Sequence, residues 1–350
     1  MPNDQQNPDQ ISSSVIDYPA RDMTITVGTG MSAGQLCGIL RHENQQLPID
    51  TADGEITIRE LVDFDISGPR QFGYGTLRDY VIGIEASDGS GRVFHAGGRV
   101  VKNVAGYDLC RLLIGAKGQL GTLRQLTFKL KPLPAAQCLT IAAFRSLKDL
   151  ASALDRLNLT STAPQILDVV NRHAAETVLQ NSDLQLDPGV LSASAALLVL
   201  GFDGSRTACD WQTKTVAEEL HGTATSVVPI MHGEAMTVYC QAAMKFSGSH
   251  QLPVDEWLAR VVTLPSRVAA VLQVAEEFGL QACGRAGNGI ICLRSASSAA
   301  DTASFRSSLR KIVDECSGFF EFQASAETWR HPAAASTVER YAESLRKLLG

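Results

Sequence analysis

The stretch from Gly97 to Gly121, GGRVVKNVAGYDLCRLLIGAKGQLG, places six glycines around one short apolar segment. A glycine inside a helix or strand destabilises it by roughly 0.5–1 kcal/mol relative to alanine, so long regular elements are not expected here. Glycine is favoured where the backbone passes close to another chain segment or to a ligand. We therefore expect a short helix between strands, with closely approached loops on both sides of it.

The chain divides near residue 135, where Pro132 and Pro134 separate two kinds of pattern. Before them, short strands alternate with short helices, and Asp88-Gly89-Ser90-Gly91 predicts the turn of a β-hairpin. After them, strand, helix and strand follow each other twice, as in a ferredoxin-like layer with helices on one face of a sheet. The sequence thus predicts an α+β protein with a disordered polar N-terminus over 1–14, a first domain over 15–134 and a second over 135–350.

The composition excludes several classes of protein. The 350-residue chain has a formal net charge of −6 and no cluster of lysine and arginine, so nucleic acid is not an expected partner. No apolar run reaches the ~20 residues of a membrane-spanning helix. The eight cysteines and seven histidines show no metal-binding spacing, so we expect neither a metal nor an iron–sulfur cluster in this chain.

A second glycine cluster, Gly28-Thr29-Gly30 with Gly34, follows a predicted strand and precedes a predicted helix. Nicotinamide-dinucleotide sites have this order, and Asp53 lies at the spacing of their ribose-binding acid. The elements that follow are not an alternating parallel series, so a tight turn before a helix capped by Ser32 is the favoured interpretation. A nicotinamide-dependent dehydrogenase is kept as a third hypothesis.

Three segments form one longer pattern: SGPRQFGYGTLRDYVIG (67–83), the glycine-dense stretch 97–123 and LTFKLKPLP (126–134). Together they resemble the flavin-binding domain of the vanillyl-alcohol-oxidase/PCMH superfamily and, within it, the FAD-binding accessory (E) subunits of glycolate oxidases. The resemblance is close over 15–134 and loose beyond. It implies a PCMH-type FAD-binding domain that lacks its N-terminal subdomain, followed by an α+β cap domain.

The resemblance also implies which residues bind FAD. Glycines present backbone N–H groups to the ligand without side-chain obstruction, and tyrosines pack on its rings. Arg78 or Lys102 neutralises a phosphate or the reduced flavin, while Asn103 and Asp108 hold the loop or bond the flavin edge. The predicted cofactor-binding residues are Gly68, Pro69, Tyr74, Gly75, Arg78, Asp79, Lys102, Asn103, Gly106, Tyr107, Asp108, Gly115, Gly118, Gly121 and Thr122.

Taken singly, several of these residues have ordinary alternative roles. Tyr107 suits a half-buried core position, Asp108 suits the N-cap of the short helix, and Lys102 suits a strand end in solvent. Their order within one block is what favours the cofactor site.

The chain departs from this family at three places. The glycine-rich segment that cradles the FAD pyrophosphate in relatives has no counterpart here. Arg59 and Glu60 stand where relatives have a glycine pair near the flavin, and Lys117 replaces an acid in the loop Gly115–Gly118. Two charged side chains at that glycine pair obstruct the ligand unless the loop is rebuilt. FAD is therefore expected to be bound weakly, shared with a partner, or lost.

The function implied by the resemblance is that of an FAD-binding subunit in a hetero-oligomeric, glycolate-oxidase-type 2-hydroxy-acid dehydrogenase. Such a complex oxidises glycolate to glyoxylate by hydride transfer to flavin. The expected partners are a larger flavoprotein subunit and an iron–sulfur subunit that accepts the electrons. The expected location is cytoplasmic, peripheral to the inner membrane at most. The alternative is a flavin-free structural or assembly subunit that retains the fold.

No catalytic residue is predicted. His95, His232 and His331 are isolated in sequence, and none has a carboxylate at a spacing that makes it a proton acceptor.

Overall fold

The computed structural model describes residues 11–98, 108–180, 184, 186–231, 234–248, 256–295, 302–324 and 328–330. The described residues fall into two compact units. The first unit holds residues 11–67 and Gly75–Leu133, and the second holds Gly68–Tyr74 and the residues from Pro134 onward. We call Gly68–Tyr74 the strap. The predicted domains place the strap in the first domain, whereas the structure packs it with the second unit.

The strands of the described residues, in chain order, are β1 Val15–Asp17, β2 Thr24–Gly28, β3 Gln45–Gln46, β4 Val81–Ser87, β5 Val93–Gly97, β6 Thr122–Lys129, β7 Lys131–Pro132, β8 Ala136–Phe144, β9 Ile166–Asn171, β10 Ala196–Gly204, β11 Ser226–Ile230, β12 Trp257–Val262, β13 Gln281–Arg285, β14 Ile290–Ser295, β15 Phe319–Ala324 and β16 Thr328–Arg330. The α-helices are α1 Ala33–His42, α2 Ile58–Asp63, α3 Gln71–Tyr74, α4 Leu109–Leu113, α5 Leu147–Leu157, α6 Arg172–Ala175, α7 Pro188–Ala193, α8 Arg206–Glu219, α9 Ala235–Ser247, α10 Val268–Glu277 and α11 Thr302–Asp314. Short 3₁₀ helices span Ala20–Asp22, Leu77–Asp79, Pro265–Arg267 and Ala286–Asn288, and a π-helix spans Glu176–Gln180.

The described part of the first unit is built on a five-stranded antiparallel sheet in the order β1-β2-β6-β4-β5. Helices α1, α2 and α4 share a core with the apolar side chains on one face of this sheet. The predicted hairpin is confirmed, since β4 and β5 pair antiparallel across the turn at Asp88. The predicted cap is also confirmed, because the Ser32 hydroxyl accepts the Gln35 N–H at 3.2 Å at the start of α1.

The glycine turn after β2 serves packing of the chain against itself. The Gly28 and Gly30 amides donate to the carbonyl oxygens of Ser14 and Ser12, both at 2.9 Å. A Cβ at Gly28 would overlap the Ser12 carbonyl. These contacts agree with the interpretation of Gly28-Thr29-Gly30 as a tight turn before α1. The contacts also show that the predicted disorder over 1–14 is wrong for residues 11–14, while residues 1–10 lie outside the described part.

The described part of the second unit contains two ferredoxin-like repeats. Strands β8 to β11, with α5 and α8, form one repeat in the sheet order β11-β8-β10-β9. Strands β12 to β15, with α10 and α11, form another in the order β13-β14-β12-β15. Antiparallel pairing of β9 with β13 joins them, and β16 lies at the outer edge of the resulting nine-stranded sheet. The predicted α+β class and ferredoxin-like units are confirmed.

The helices of the predicted ferredoxin-like units lie on one face of this sheet, as expected, and helices that were not predicted cover the other face. Helices α5, α8, α10 and α11 bury their apolar side chains on one face. Helices α6 and α9 cover the other, and sequence analysis did not identify α9. The continuous apolar strand sequences, such as ALLVLGF in β10, explain the result, because a strand buried on both faces has no polar alternation.

We predict that Gly28→Ala destabilises the first unit, by about 1–3 kcal/mol, because the new Cβ must displace the Ser12 backbone. Gly38→Ala is the matched control. Gly38 lies in α1 with open space around it, so alanine should raise the free energy of unfolding by roughly 0.5–1 kcal/mol. Chemical denaturation of both variants measures the effect, and equal stabilities would contradict the packing role.

Candidate functional site

The fifteen predicted cofactor-binding residues fall into three groups in the structure. Lys102, Asn103, Gly106 and Tyr107 lie outside the described residues. Gly68, Pro69 and Tyr74 belong to the strap of the second unit. The first unit contains the other eight: Gly75, Arg78, Asp79, Asp108, Gly115, Gly118, Gly121 and Thr122.

Three of these eight residues meet at the C-terminal end of α2. Arg78 Nη2 lies 3.5 Å from Asp65 Oδ2. The position of a Cβ at Gly115 lies 3.4 Å from the Asp65 Cβ, and the Gly118 amide donates to the Asp63 carboxylate. We call Arg59, Asp63, Asp65, Arg78 and the loop Gly115–Gly118 the α2 site.

Arg59 and Glu60, expected to obstruct a ligand unless their loop is rebuilt, lie in helix α2. Thr57 and Glu60 form its capping box: the Glu60 amide donates to Thr57 Oγ1 at 3.2 Å, and the Thr57 amide donates to Glu60 Oε2 at 3.0 Å. Arg59 Nε donates to Asp63 Oδ2 at 3.3 Å. The segment is thus rebuilt as a helix, and Arg59 is part of the α2 site.

The loop Gly115–Gly118 uses its amides within the first unit. The amides of Gly115 and Lys117 each donate at 3.0 Å, to the carbonyls of Val62 and Asp63. The φ angles of Gly115 and Gly118, 81° and 71°, lie in the left-handed region and explain the glycines. The expectation that these two residues present free N–H groups to a ligand therefore does not match the geometry.

Gly75 and Asp79 form a local turn. Asp79 Oδ2 accepts the Thr76 amide at 2.8 Å, and a Cβ at Gly75 would lie 2.5 Å from this oxygen. Both residues therefore have a structural role at the start of the 3₁₀ helix Leu77–Asp79.

Asp108, Gly121 and Thr122 are likewise used by the fold. Asp108 Oδ1 accepts the Arg111 amide at 3.1 Å at the start of α4, so its alternative role as an N-cap is confirmed. Thr122 pairs with Ser87 in the sheet, and a Cβ at Gly121 would lie 2.7 Å from the Ser87 oxygen.

The strap is held to the second unit along its length. Gln71 Oε1 accepts from Arg285 Nη1 at 2.6 Å, and the Gly73 amide donates to the Gln165 carbonyl at 3.1 Å. Tyr74 Oη donates to Asp203 Oδ2 at 2.5 Å. Burial raises the pKa of the Asp203 carboxyl, although the Tyr74 hydrogen bond lowers it in part.

Beneath the strap, two charged side chains lie inside the second unit. Asp168 on β9 is 1% exposed and Arg285 on β13 is 7% exposed, and the two residues are cross-strand neighbours. The buried Tyr239 hydroxyl donates to Asp168 Oδ2 at 2.9 Å. Sequence analysis missed all three residues. One signal was available in the sequence, the single carboxylate of the otherwise apolar segment ILDVV. A carboxylate buried in such a strand requires hydrogen-bonding partners, so it indicates that polar groups lie nearby.

Comparison with known proteins identifies the first part of the chain. Residues 10–97 match the FAD binding domain family, a range that includes α2 and Arg78 but not Gly115–Gly118. This part of the chain is therefore similar to FAD-binding domains. Glycolate oxidase subunit GlcE of Escherichia coli is 35% identical over 124 residues, which are 35% of this chain and 35% of that protein.

Two further relatives extend the similarity. Glycolate oxidase subunit GlcD of Bacillus subtilis is 25% identical over 193 residues, covering 55% of this chain and 40% of GlcD. A D-lactate dehydrogenase of Anaerostipes hadrus is 22% identical over 320 residues, covering 87% of this chain and 66% of the enzyme. The chain thus spans from about a third to about two thirds of these proteins. The resemblance to PCMH-type FAD-binding proteins and glycolate oxidase subunits is confirmed.

Solved structures show the fold of nearly the whole chain. An alkyldihydroxyacetonephosphate synthase superposes with a TM-score of 0.66 over 97% of this chain and 64% of its own, at 16% identity. At that identity the match supports the fold alone.

The α2 site suits an anionic group, and side chains supply the charge. Around Gly118 the position of a Cβ is open except for Arg59 Nη2, 3.9 Å away. Arg59 and Arg78 are partly exposed and Lys117 is exposed. Cationic side chains form charge-assisted hydrogen bonds to phosphate oxygens. The three cationic side chains of the α2 site are therefore of the chemical kind that fits the phosphates of FAD.

Of the three histidines considered from the sequence, His95 has a carboxylate partner that its sequence position concealed. His95 Nε2 lies 3.0 Å from Glu85 Oε2, because the hairpin register places the two residues opposite each other. His95 is largely exposed, and His232 and His331 lie outside the described residues.

Two features of the described residues bear on membranes and on metals. None of their helices is both long and apolar enough to cross a bilayer. Within the same residues, no three or more histidines, cysteines or acids are grouped as metal ligands.

We predict that Asp203→Asn makes the second unit less sensitive to pH. Burial raises the pKa of Asp203 in the folded chain, so the folded state holds this proton more tightly than the unfolded state. The stability that the proton contributes is present below about pH 4 and is lost as the pH rises through the folded pKa. D203N removes that loss, so its stability relative to wild type should increase between about pH 4 and pH 7.

Denaturant unfolding across this pH range measures the difference. D210N, which alters a partly exposed acid paired with Arg206 on α8, serves as the control. A pH-independent difference between D203N and wild type would contradict the assignment.

Proposed function

We propose that this chain is the FAD-binding subunit of a complex that oxidises small 2-hydroxy acids such as glycolate. The observation that carries the proposal is the FAD-binding domain match over residues 10–97, the part of the first unit that contains α2 and Arg78. Similarity to glycolate oxidase subunits and to a D-lactate dehydrogenase supports the substrate class.

In this proposal Arg59, Arg78 and Lys117 bind the phosphates of FAD. Asp63 and Asp65 orient the two arginines, at 3.3 Å and 3.5 Å respectively. The buried Asp63 has a raised pKa because of desolvation, which Arg59 and the Gly118 amide partly offset. When bound, FAD supplies a hydride acceptor for the alcohol carbon of a 2-hydroxy acid.

The proposal includes partners that complete the reaction. The two glycolate oxidase relatives are named as subunits, which supports a hetero-oligomer. The proposed partners are a larger flavoprotein subunit and an iron–sulfur subunit that takes the electrons. The proposed location remains cytoplasmic, with at most a peripheral membrane association through the complex.

A flavin-free structural subunit is the second candidate function. The observation that favours it is the use of the Gly115, Lys117 and Gly118 amides within the first unit, since these N–H groups are then not offered to a phosphate. In that case Arg59 and Arg78 serve only as surface ion pairs, which contribute little stability.

The absorbance spectrum of the purified full-length chain separates the two functions. Stoichiometric FAD, identified after heat release, is the expected result. A colourless, folded chain that takes up no flavin from excess FAD would replace the proposal with the flavin-free subunit.

We predict that Arg78→Gln weakens FAD binding about tenfold or more, because one charge-assisted contact contributes roughly 1.5–3 kcal/mol. Arg92→Gln is the matched control. Arg92 also pairs with an aspartate, Asp88, but lies in the hairpin turn outside the α2 site. Titration of the apo chain with FAD, followed by flavin fluorescence, measures both. Equal FAD affinities of the R78Q and R92Q variants would show that Arg78 does not bind FAD.

A further inference from the structure

The buried pair of Asp168 and Arg285 places two opposite charges inside the apolar second unit. Strand β9 is otherwise apolar apart from its last residue, and the surrounding core is formed by aliphatic, aromatic and sulfur-containing side chains. Charges inside such a core are costly unless other groups hydrogen-bond to them. Both charges have such a group, and for Arg285 it is the neutral Gln71 side chain of the strap.

A small cavity lies beside the two charges. Its walls are Gly68 and Pro69 of the strap, Met244 of α9, and the side chains of Asp168 and Arg285. The cavity has room for about one water molecule. Cys283 and Cys292 also line it, and burial raises the pKa of both thiols, so they add no negative charge.

The strap supplies a neutral partner to the buried guanidinium. Gln71 Oε1 accepts from Arg285 Nη1 at 2.6 Å, and the Gln71 side chain is partly exposed to solvent. A carboxamide and a carboxylate are planar groups of the same shape, but the carboxylate is the stronger acceptor for a guanidinium. A small carboxylate can therefore take the place of the Gln71 carboxamide.

We propose that Arg285 binds the carboxylate of a small 2-hydroxy acid, and that this ligand displaces the Gln71 side chain. The substrate class rests on the function proposed above. The neighbouring Asp168 disfavours a second negative charge, so a monocarboxylate is preferred over a dicarboxylate. Contacts of Gly73 with Gln165 and of Tyr74 with Asp203 hold the strap while Gln71 moves.

Isothermal titration of the full-length chain tests the ligand chemistry with three probes. Glycolate should bind. Glycolamide, its neutral analogue, should bind at least tenfold more weakly, and tartronate, which adds a second carboxylate to glycolate, should also bind more weakly. Equal binding of glycolate and glycolamide, or no binding of glycolate, would overturn the proposal.

Two variants with opposite expected effects test the residues. Arg285→Gln should weaken glycolate binding at least tenfold, whereas the control Arg267→Gln, in a partly exposed pair with Glu315 of the same unit, should leave it unchanged. Gln71→Ala should tighten binding several-fold, because the competing carboxamide is gone. A folding defect cannot increase the affinity for glycolate, so the Q71A variant tests the proposal even if R285Q does not fold. Glycolate affinity unchanged in Q71A or in a folded R285Q would contradict the proposal.

Flavin content, measured on the same samples, separates this inference from the proposed function. A flavin-free chain that binds glycolate through Arg285 would refute the FAD-binding subunit and keep the carboxylate site. A chain that contains FAD but does not bind glycolate would keep the FAD-binding subunit and refute the carboxylate site.

Discussion

The pairing of β9 with β13 is the interaction on which the second unit depends, because it joins two ferredoxin-like repeats into one sheet. Asn171 reinforces this seam from the end of β9. Its Oδ1 accepts the amides of Ala174 and Ala282, at 3.0 Å and 2.9 Å, and its Nδ2 donates to the Leu280 carbonyl at 2.8 Å. One buried amide thus connects β9, the start of α6 and the entry to β13.

The same seam places opposite charges at the centre of an apolar sheet. Arg285 and Asp168 are directly opposed across β9 and β13, and each also has a partner elsewhere, in Gln71 and Tyr239 respectively. Buried polar groups of this kind fix one arrangement of the elements that contact them. Here those elements are α9 and the strap, which explains why the strap packs with the second unit.

The glycines of the first unit divide by what lies next to them. Gly28 and Gly121 allow backbone segments to approach, so a side chain there would displace the fold. Gly115 and Gly118 permit left-handed backbone, and the space beside Gly118 is open apart from Arg59. In the function proposed above, the α2 site would differ from a glycine cradle in its chemistry, since arginine and lysine side chains would provide the positive charge that backbone amides otherwise supply.

Local features of the sequence were sufficient for the elements they govern. Ser32 and Asp108 cap their helices, the turn at Asp88 forms a hairpin, and the strand–helix order after Pro134 forms ferredoxin-like repeats. The block 67–134 also identified the FAD-binding class that the comparison confirmed. Helix capping, turns and apolar periodicity depend on residues close together in the chain, so they can be predicted from the sequence without knowledge of the fold.

The tertiary structure alone decided which distant residues meet. The sequence could not show that Arg59 lies close to Gly118 or that the strap belongs to the second unit although the residues on both sides of it belong to the first. Nor could it show that the pairing of β9 with β13 places Asp168 opposite Arg285. Strand pairing and helix packing bring together residues that are remote in the chain, and the partners depend on register and burial rather than on local propensity. For this reason the sequence by itself determined the elements and the cofactor class, while the fold determined which side chains form a site.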